Sequence, residues 1–171
     1  KKEVHFNLGE EILPQRMVDA LAGGRIRRIV FIGQGTAAVA GQACAAMVGR
    51  YVTGANVSVM GLKSSEFSGF ALFPDMSDSL VIAVTQSGTT TDTNRAVDLA
   101  ISRGAQTLAI VNRRGSDVTH KVDGVFYTSD GRDVEMSVAS TKAFYSQVTA
   151  GAVLAFQFAR ILETLEMRDI A

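Results

Sequence analysis

The chain has no tryptophan, two prolines, one cysteine and no net charge. A lone thiol, Cys44, cannot close a disulfide within the chain, so the fold must stand on its apolar core. That usage fits a reducing compartment, and the cytoplasm is the expected location. Lys plus Arg equals Asp plus Glu at 17 each, which leaves no long-range field to draw nucleic acid or an acidic membrane. No apolar run approaches the roughly 20 residues that span a bilayer. The opening Lys1-Lys2-Glu3-Val4-His5 is not followed by the apolar core of a secretion signal. The two histidines, His5 and His120, stand in no triad-like context, so acyl transfer by a serine nucleophile is not expected. Metal-ligand clusters are absent, and neither a metal nor a cofactor is expected. Without tryptophan, and with few aromatics near the loops discussed below, flavin stacking is disfavoured.

What remains is 171 residues with 47% hydrophobic content, enough for one domain with a sizeable core. Gly9 to Gly24 reads as a short amphipathic helix bent at Pro14. Arg25 to Gly33 is a β-branched core strand ending in glycine. Thr36 to Tyr51, rich in alanine, is a helix with Thr36 as its N-cap. Asn56 to Met60 is a second short strand, and Ser64 to Phe70 starts like a capped helix. Leu80 to Val84 is the third strand, with Thr91 to Arg103 its helix and Gly104 in the C-cap position. Thr107 to Val111 and Val125 to Thr128 complete five strands, with a turn and short helix after Asn112. Ser140 to Leu165 is an apolar helix long enough to be largely buried, and its apolarity suggests burial against a second domain.

Strands alternating with helices at this spacing predict an α/β fold, a three-layer αβα sandwich on a five-stranded parallel sheet. Right-handed crossovers favour the flavodoxin-like strand order 2-1-3-4-5. The switch point of that order lies between strands one and three, where such sheets bind ligands. The two loops leaving those strands are Gly33-Gln34-Gly35-Thr36 and Thr85-Gln86-Ser87-Gly88.

Both loops carry anion-binding chemistry. The stretch from Thr85 to Thr91 holds five hydroxyls, at Thr85, Ser87, Thr89, Thr90 and Thr91, at the positive end of a helix dipole. One hydroxyl suffices to cap a helix; the excess points to a bound anion, most naturally a phosphate. No lysine or arginine lies in this stretch, so neutral donors would hold the phosphate, as suits a small phosphorylated metabolite. The first loop loosely fits a dinucleotide fingerprint, with Ala38 in the third glycine position. The acidic residue expected about 20 positions later is missing. The glycines either permit a tight turn or let a ligand approach the backbone. A second candidate region is Glu135-Met136-Ser137-Val138-Ala139-Ser140-Thr141-Lys142. Capping does not explain Glu135, which precedes the serine that it would have to follow. It is either a proton-transfer group in sugar chemistry or the partner of Lys142 in an ion pair. Cys44, among alanines, reads as a small core residue. Arg113 and Arg114 read as a solvated loop pair within reach of a ligand's rim.

Taken together, Gly35-Thr36, Gln86-Ser87-Gly88 with Thr90, Asp92 and Thr93, and Glu135 with Val138-Ala139-Ser140-Thr141-Lys142-Ala143-Phe144 resemble the sugar isomerase (SIS) domain family. The likeness is greatest to the first of the paired SIS domains in amidotransferase-type aldose–ketose isomerases. The resemblance implies that Thr85, Gln86, Ser87, Gly88 and Thr90 grip a sugar phosphate, fructose 6-phosphate or glucosamine 6-phosphate. It also implies that Gly35 and Thr36 contact the sugar from the first loop, that Val138, Ser140 and Lys142 hold its far end, and that Glu135 is a candidate catalytic group. Three positions depart from the family pattern: Ala37 where serine is usual, Thr89 where glutamate is usual, and Thr85 where serine is common.

The same resemblance places the principal acids, bases and Schiff-base lysine in a second SIS domain, for which this chain has no room. The chain, which does not begin with methionine, is therefore expected to be one SIS domain, residues 1–171 with a helical extension over 1–24. It would be a fragment or one half of a two-domain unit, paired with a second SIS domain or as a homodimer. The alternative is a non-catalytic domain that senses phosphosugars to regulate something else.

Overall fold

In the computed structural model, which describes residues 8–130 and 141–164, the β-branched runs become five strands: β1 (Arg28–Gly33), β2 (Ser58–Lys63), β3 (Ser79–Thr85), β4 (Gln106–Val111) and β5 (Gly124–Tyr127). The helices are α1 (Gln15–Ala22), α2 (Thr36–Tyr51), α3 (Ser64–Phe70), α4 (Thr91–Ser102) and α5 (Thr141–Ile161), with a 3-10 turn over Asp117–His120. The sheet is wholly parallel in the order β2-β1-β3-β4-β5, as the alternation of elements predicts. Every residue of the central β3 is buried, the signature of a parallel strand covered on both faces. One face packs Phe31, Ile82 and Ile110 against α1, α2 and α5; the other packs Val30, Val81 and Ala109 against α3 and α4.

Several boundaries differ from the sequence reading, each for a local reason. The first helix begins only at Gln15, with Pro14 as its N-cap residue. A residue before proline is pushed out of helical backbone, so residues 9–13 form a separate turn closed by Ile12 and Leu13 N–H groups on Gly9 O. The second strand runs Ser58–Lys63 instead of ending at Met60 because all six of its residues pair in register with Arg28–Gly33. Gly35, not Thr36, caps α2; its φ of 58° suits glycine and strains a β-branched residue.

The last helix packs within the chain along one side. Its buried residues, among them Ala143, Gln147, Gly151, Leu154 and Phe158, pack on α2 and the sheet of the same chain. The helices run side by side in the same direction: Cys44 Sγ donates to Gln147 O at 3.6 Å, and Thr164 Oγ1 donates to Tyr51 O at 2.8 Å. The buried side of this apolar helix is thus covered by α2 and the sheet, while Tyr145 on the same helix stays exposed.

Cys44 is fully buried in this contact, and burial pushes its thiol pKa from 9.0 up to about 12. Because the folded pKa exceeds that of the exposed thiol, this contribution to stability is complete below pH 9 and is lost as pH climbs toward 12. Two results are expected. An aromatic disulfide reagent at pH 8 should leave the native protein unmodified and titrate one thiol in guanidinium. Denaturant midpoints of wild type should fall between pH 9 and 11 more steeply than those of Cys44→Ala.

Candidate functional site

The parallel register sets Ile32 beside Ala83, so β1 and β3 end side by side and their loops leave the sheet at neighbouring points about 4.8 Å apart. Each loop runs directly into a helix, α2 from the first and α4 from the second. Gly33 is required where β1 turns: a Cβ there would lie 2.7 Å from the backbone carbonyl carbon and oxygen of Ala37. In α2 the N–H groups of Thr36 and Ala37 have no protein acceptor among the described residues, while Ala38 N–H returns to Gly35 O at 3.1 Å. Thr36 is exposed. Gln34 is held from the side, its Oε1 accepting from Ser65 Oγ of α3 at 3.5 Å.

The second loop is a built turn. Thr85 is buried, and its Oγ1 accepts from Gly88 N–H at 3.1 Å; this hydroxyl shapes the loop from within. Ser87 Oγ accepts from both the N–H and the Oγ1 of Thr89, at 3.3 and 3.1 Å, and among the described residues no histidine is a partner. Gly88 sits at φ 67° with Ser116 directly behind it. The loop after β4 braces the turn: Arg113 N–H donates to Gln86 O at 3.2 Å and Val118 N–H donates to Gly88 O at 3.1 Å. Beyond the turn, the N–H groups of Thr90, Thr91, Asp92 and Thr93 find no acceptor among the described residues. These are the free donors that a helix start presents to an anion. Thr90 is half-buried and Thr91 exposed, while the Thr93 hydroxyl is turned inward to Ser64 Oγ of α3 at 3.1 Å.

Two helix starts with unmet donors therefore stand together at the strand-order switch, as the sequence predicts, and the described part of the site contains no lysine or arginine in either loop. Arg113 and Arg114 are exposed, with the Arg114 guanidinium 4.4 Å from the centre of the Tyr127 ring. A cleft of about 520 Å³ opens beside the second loop, between α4 and the 3-10 turn, lined by Thr89, Thr91, Asn94, Arg95 and His120. Lys142 lies exposed in the first turn of α5. Glu135, Val138 and Ser140 lie outside the described residues. Among the described residues no cluster of His, Cys, Asp and Glu could hold a metal ion, and no helix is long and apolar enough to cross a membrane.

Sequence reasoning missed two residues of this site, Asn94 and Ser116, both buried. Asn94 left a faint trace, being a poor helix former in the first turns of a helix after a turn already rich in hydroxyls. Ser116 left none, because its partner Gly88 is 28 positions away.

Comparison with known proteins agrees with this geometry. A glutamine–fructose-6-phosphate aminotransferase (isomerizing) from Thermococcus kodakarensis is 36% identical, over 94% of this chain and 28% of its own length. The enzyme of that name from Symbiobacterium thermophilum is 41% identical over 76% of this chain and 20% of its own length. The chain thus spans less than a third of the curated relatives it matches. Among solved structures, the C-terminal domain of glucosamine-fructose-6-phosphate aminotransferase from Francisella tularensis superposes with a TM-score of 0.77 at 25% identity, covering 95% of this chain and 44% of that one. Glucosamine-6-phosphate deaminase from Thermotoga maritima shares the fold, with a TM-score of 0.66 at 18% identity, covering 90% of this chain and 50% of that one. The SIS domain family model matches residues 25–157, which include both loops and most of the final helix: the chain belongs to the SIS domain family.

Proposed function

We propose that this chain is the phosphosugar-binding SIS domain of an amidotransferase-type aldose–ketose isomerase, with fructose 6-phosphate or glucosamine 6-phosphate as its ligand. The observation that carries the reading is the pair of helix starts at the β1/β3 switch point, whose free N–H groups and hydroxyls form a cradle of neutral donors. In this reading the phosphate sits in the turn of Gln86, Ser87 and Gly88, against the hydroxyls of Ser87 and Thr90 and the unmet N–H groups at the positive end of α4. Thr85 acts one step back by fixing Gly88. Gly35 and Thr36 meet the sugar from the first loop, and Val138, Ser140 and Lys142 meet its other end.

The reaction served is a proton transfer between C1 and C2 of the sugar through an enediol or enolamine, with Glu135 as a candidate proton-transfer group. The domain occupies residues 1–171, its first 24 residues forming an extension. It works beside a second SIS domain or a second copy of itself, in the cytoplasm. The chain covers 28% and 20% of the two aminotransferases named above, which supports its being one unit of a larger enzyme.

Calorimetric titration tests the ligand. Fructose 6-phosphate and glucosamine 6-phosphate should bind saturably, inorganic phosphate should compete, and fructose without its phosphate should give no heat. A folded protein that gives no heat with either phosphosugar would sink the assignment.

A further inference from the structure

We infer that Asn94 is a positioning residue, holding the Gln86–Thr90 turn in the conformation that receives an anion. Asn94 lies in the first turns of α4 and is more than nine-tenths buried, at 8% exposure. Its Nδ2 donates to Gly88 O at 3.0 Å and to Thr90 O at 3.2 Å. Two carbonyl acceptors on one side of the amide fix its orientation, since the flipped rotamer would set oxygen against oxygen. Its backbone N–H also donates to Thr90 O, at 3.0 Å. One residue thus ties the turn at two points, its middle carbonyl and the carbonyl at the helix cap.

The middle carbonyl matters most. Gly88 O is shared by Asn94 Nδ2 and Val118 N–H, which together draw it onto donors in the body of the domain. A loose carbonyl oxygen in this turn would meet the anion with its own negative charge and weaken the field of the helix start. Asn94 Oδ1 has no hydrogen-bond partner among the described residues. A side chain chosen for stability alone would not leave a buried acceptor unmet; the amide is retained here for the two bonds that its other end makes.

The inference rests on the phosphosugar reading for its binding consequence, and on geometry alone for its structural one. Asn94→Leu keeps the bulk, removes both donors and removes the unmet acceptor, so the melting temperature should change little. Asn94→Asp keeps the shape and lacks the donors. Both should weaken fructose 6-phosphate binding by about tenfold or more. Ile26→Val, a core change distant from the turn, should leave binding unchanged. In the unliganded proteins, amide resonances of Gly88, Thr89 and Val118 should move in both Asn94 variants, while those of Gly35 and Thr36 stay in place.

If wild type binds phosphosugar, and an Asn94 variant binds it equally well with Gly88 and Val118 unmoved, the positioning role is wrong. If Ile26→Val loses as much affinity as the Asn94 variants, the effect is one of stability and the role is likewise wrong. Wild type failing to bind at all would overturn the ligand reading, and the resonances would still decide whether Asn94 sets the turn.

Discussion

Gly88→Ala is expected to abolish phosphosugar binding and to lower stability by about 3 kcal/mol or more. Two separate costs act at this position. The backbone is at φ 67°, where a Cβ is strained in any surroundings. The added carbon would also lie 2.0 Å from Ser116 Oγ and 2.6 Å from Ser116 Cβ. Ser116 cannot simply rotate away, because its second contact is the β-carbon and its hydroxyl donates to Arg113 O at 3.0 Å. Relief requires the turn and the loop after β4 to separate, which breaks the Arg113–Gln86 and Val118–Gly88 bonds that hold the donors in place. The two costs can be measured apart. Gly88→Ala combined with Ser116→Gly should recover the steric share and leave the share due to positive φ, giving a coupling of about 1–2 kcal/mol in a double-mutant cycle. Purely additive effects would show that Ser116 does not press on the turn. Binding should remain poor in the double variant, since its brace has been weakened.

The second large effect lies on the opposite side of the sheet from α4. Gly151→Ala would set a methyl group 2.2 Å from Cys44 Sγ, 2.7 Å from its Cβ and 3.2 Å from its Cα. Contact with the backbone carbon means that α2 and α5 must move apart, an overpacking cost of about 3 kcal/mol. For a domain of this size that is a fall of about 10 °C in melting temperature. Cys44→Ala added to Gly151→Ala should restore only part of the loss, because the Cβ contact remains. An unchanged melting temperature in Gly151→Ala would show that the helices are not in contact at this point. Ligand affinity should suffer less than in Gly88→Ala, as α5 touches α2 well below its first turn.

The two glycines show how unevenly the molecule can be read from its sequence. Sheet order, helix sequence and both loops follow from local pattern: β-branched runs, alanine-rich periodicity and hydroxyl-rich turns at strand ends. Those signals lie within ten residues of one another, and the parallel register then forces the loops together. The remainder is non-local. Nothing near Gly151 announces Cys44, and nothing near Gly88 announces Ser116, because each pair is created by the packing of distant segments. The hydroxyl count was legible while the division of labour among hydroxyls was not: Thr85 and Thr93 turn inward to bind Gly88 and Ser64, whereas Thr36, Thr89 and Thr91 remain exposed. The apolarity of α5 was legible as well, but composition cannot say which neighbour covers a helix, and here it is a helix of the same chain. Glu135 and Ser140 stand out as a polar cluster before the last helix, whereas the role of Val138 comes from family resemblance alone.

The side-by-side run of α2 and α5 has a consequence for how the domain is made. Its contacts join residues 103 and 113 positions apart, from Cys44 to Gln147 and from Tyr51 to Thr164. During synthesis, the helix that follows β1 emerges early and keeps a bare apolar flank until the last helix leaves the ribosome. Closure of so distant a pair is slow, and an uncovered flank invites association with other nascent chains. The small residues Cys44, Ala45 and Gly151 leave room for the late helix to lie close against α2.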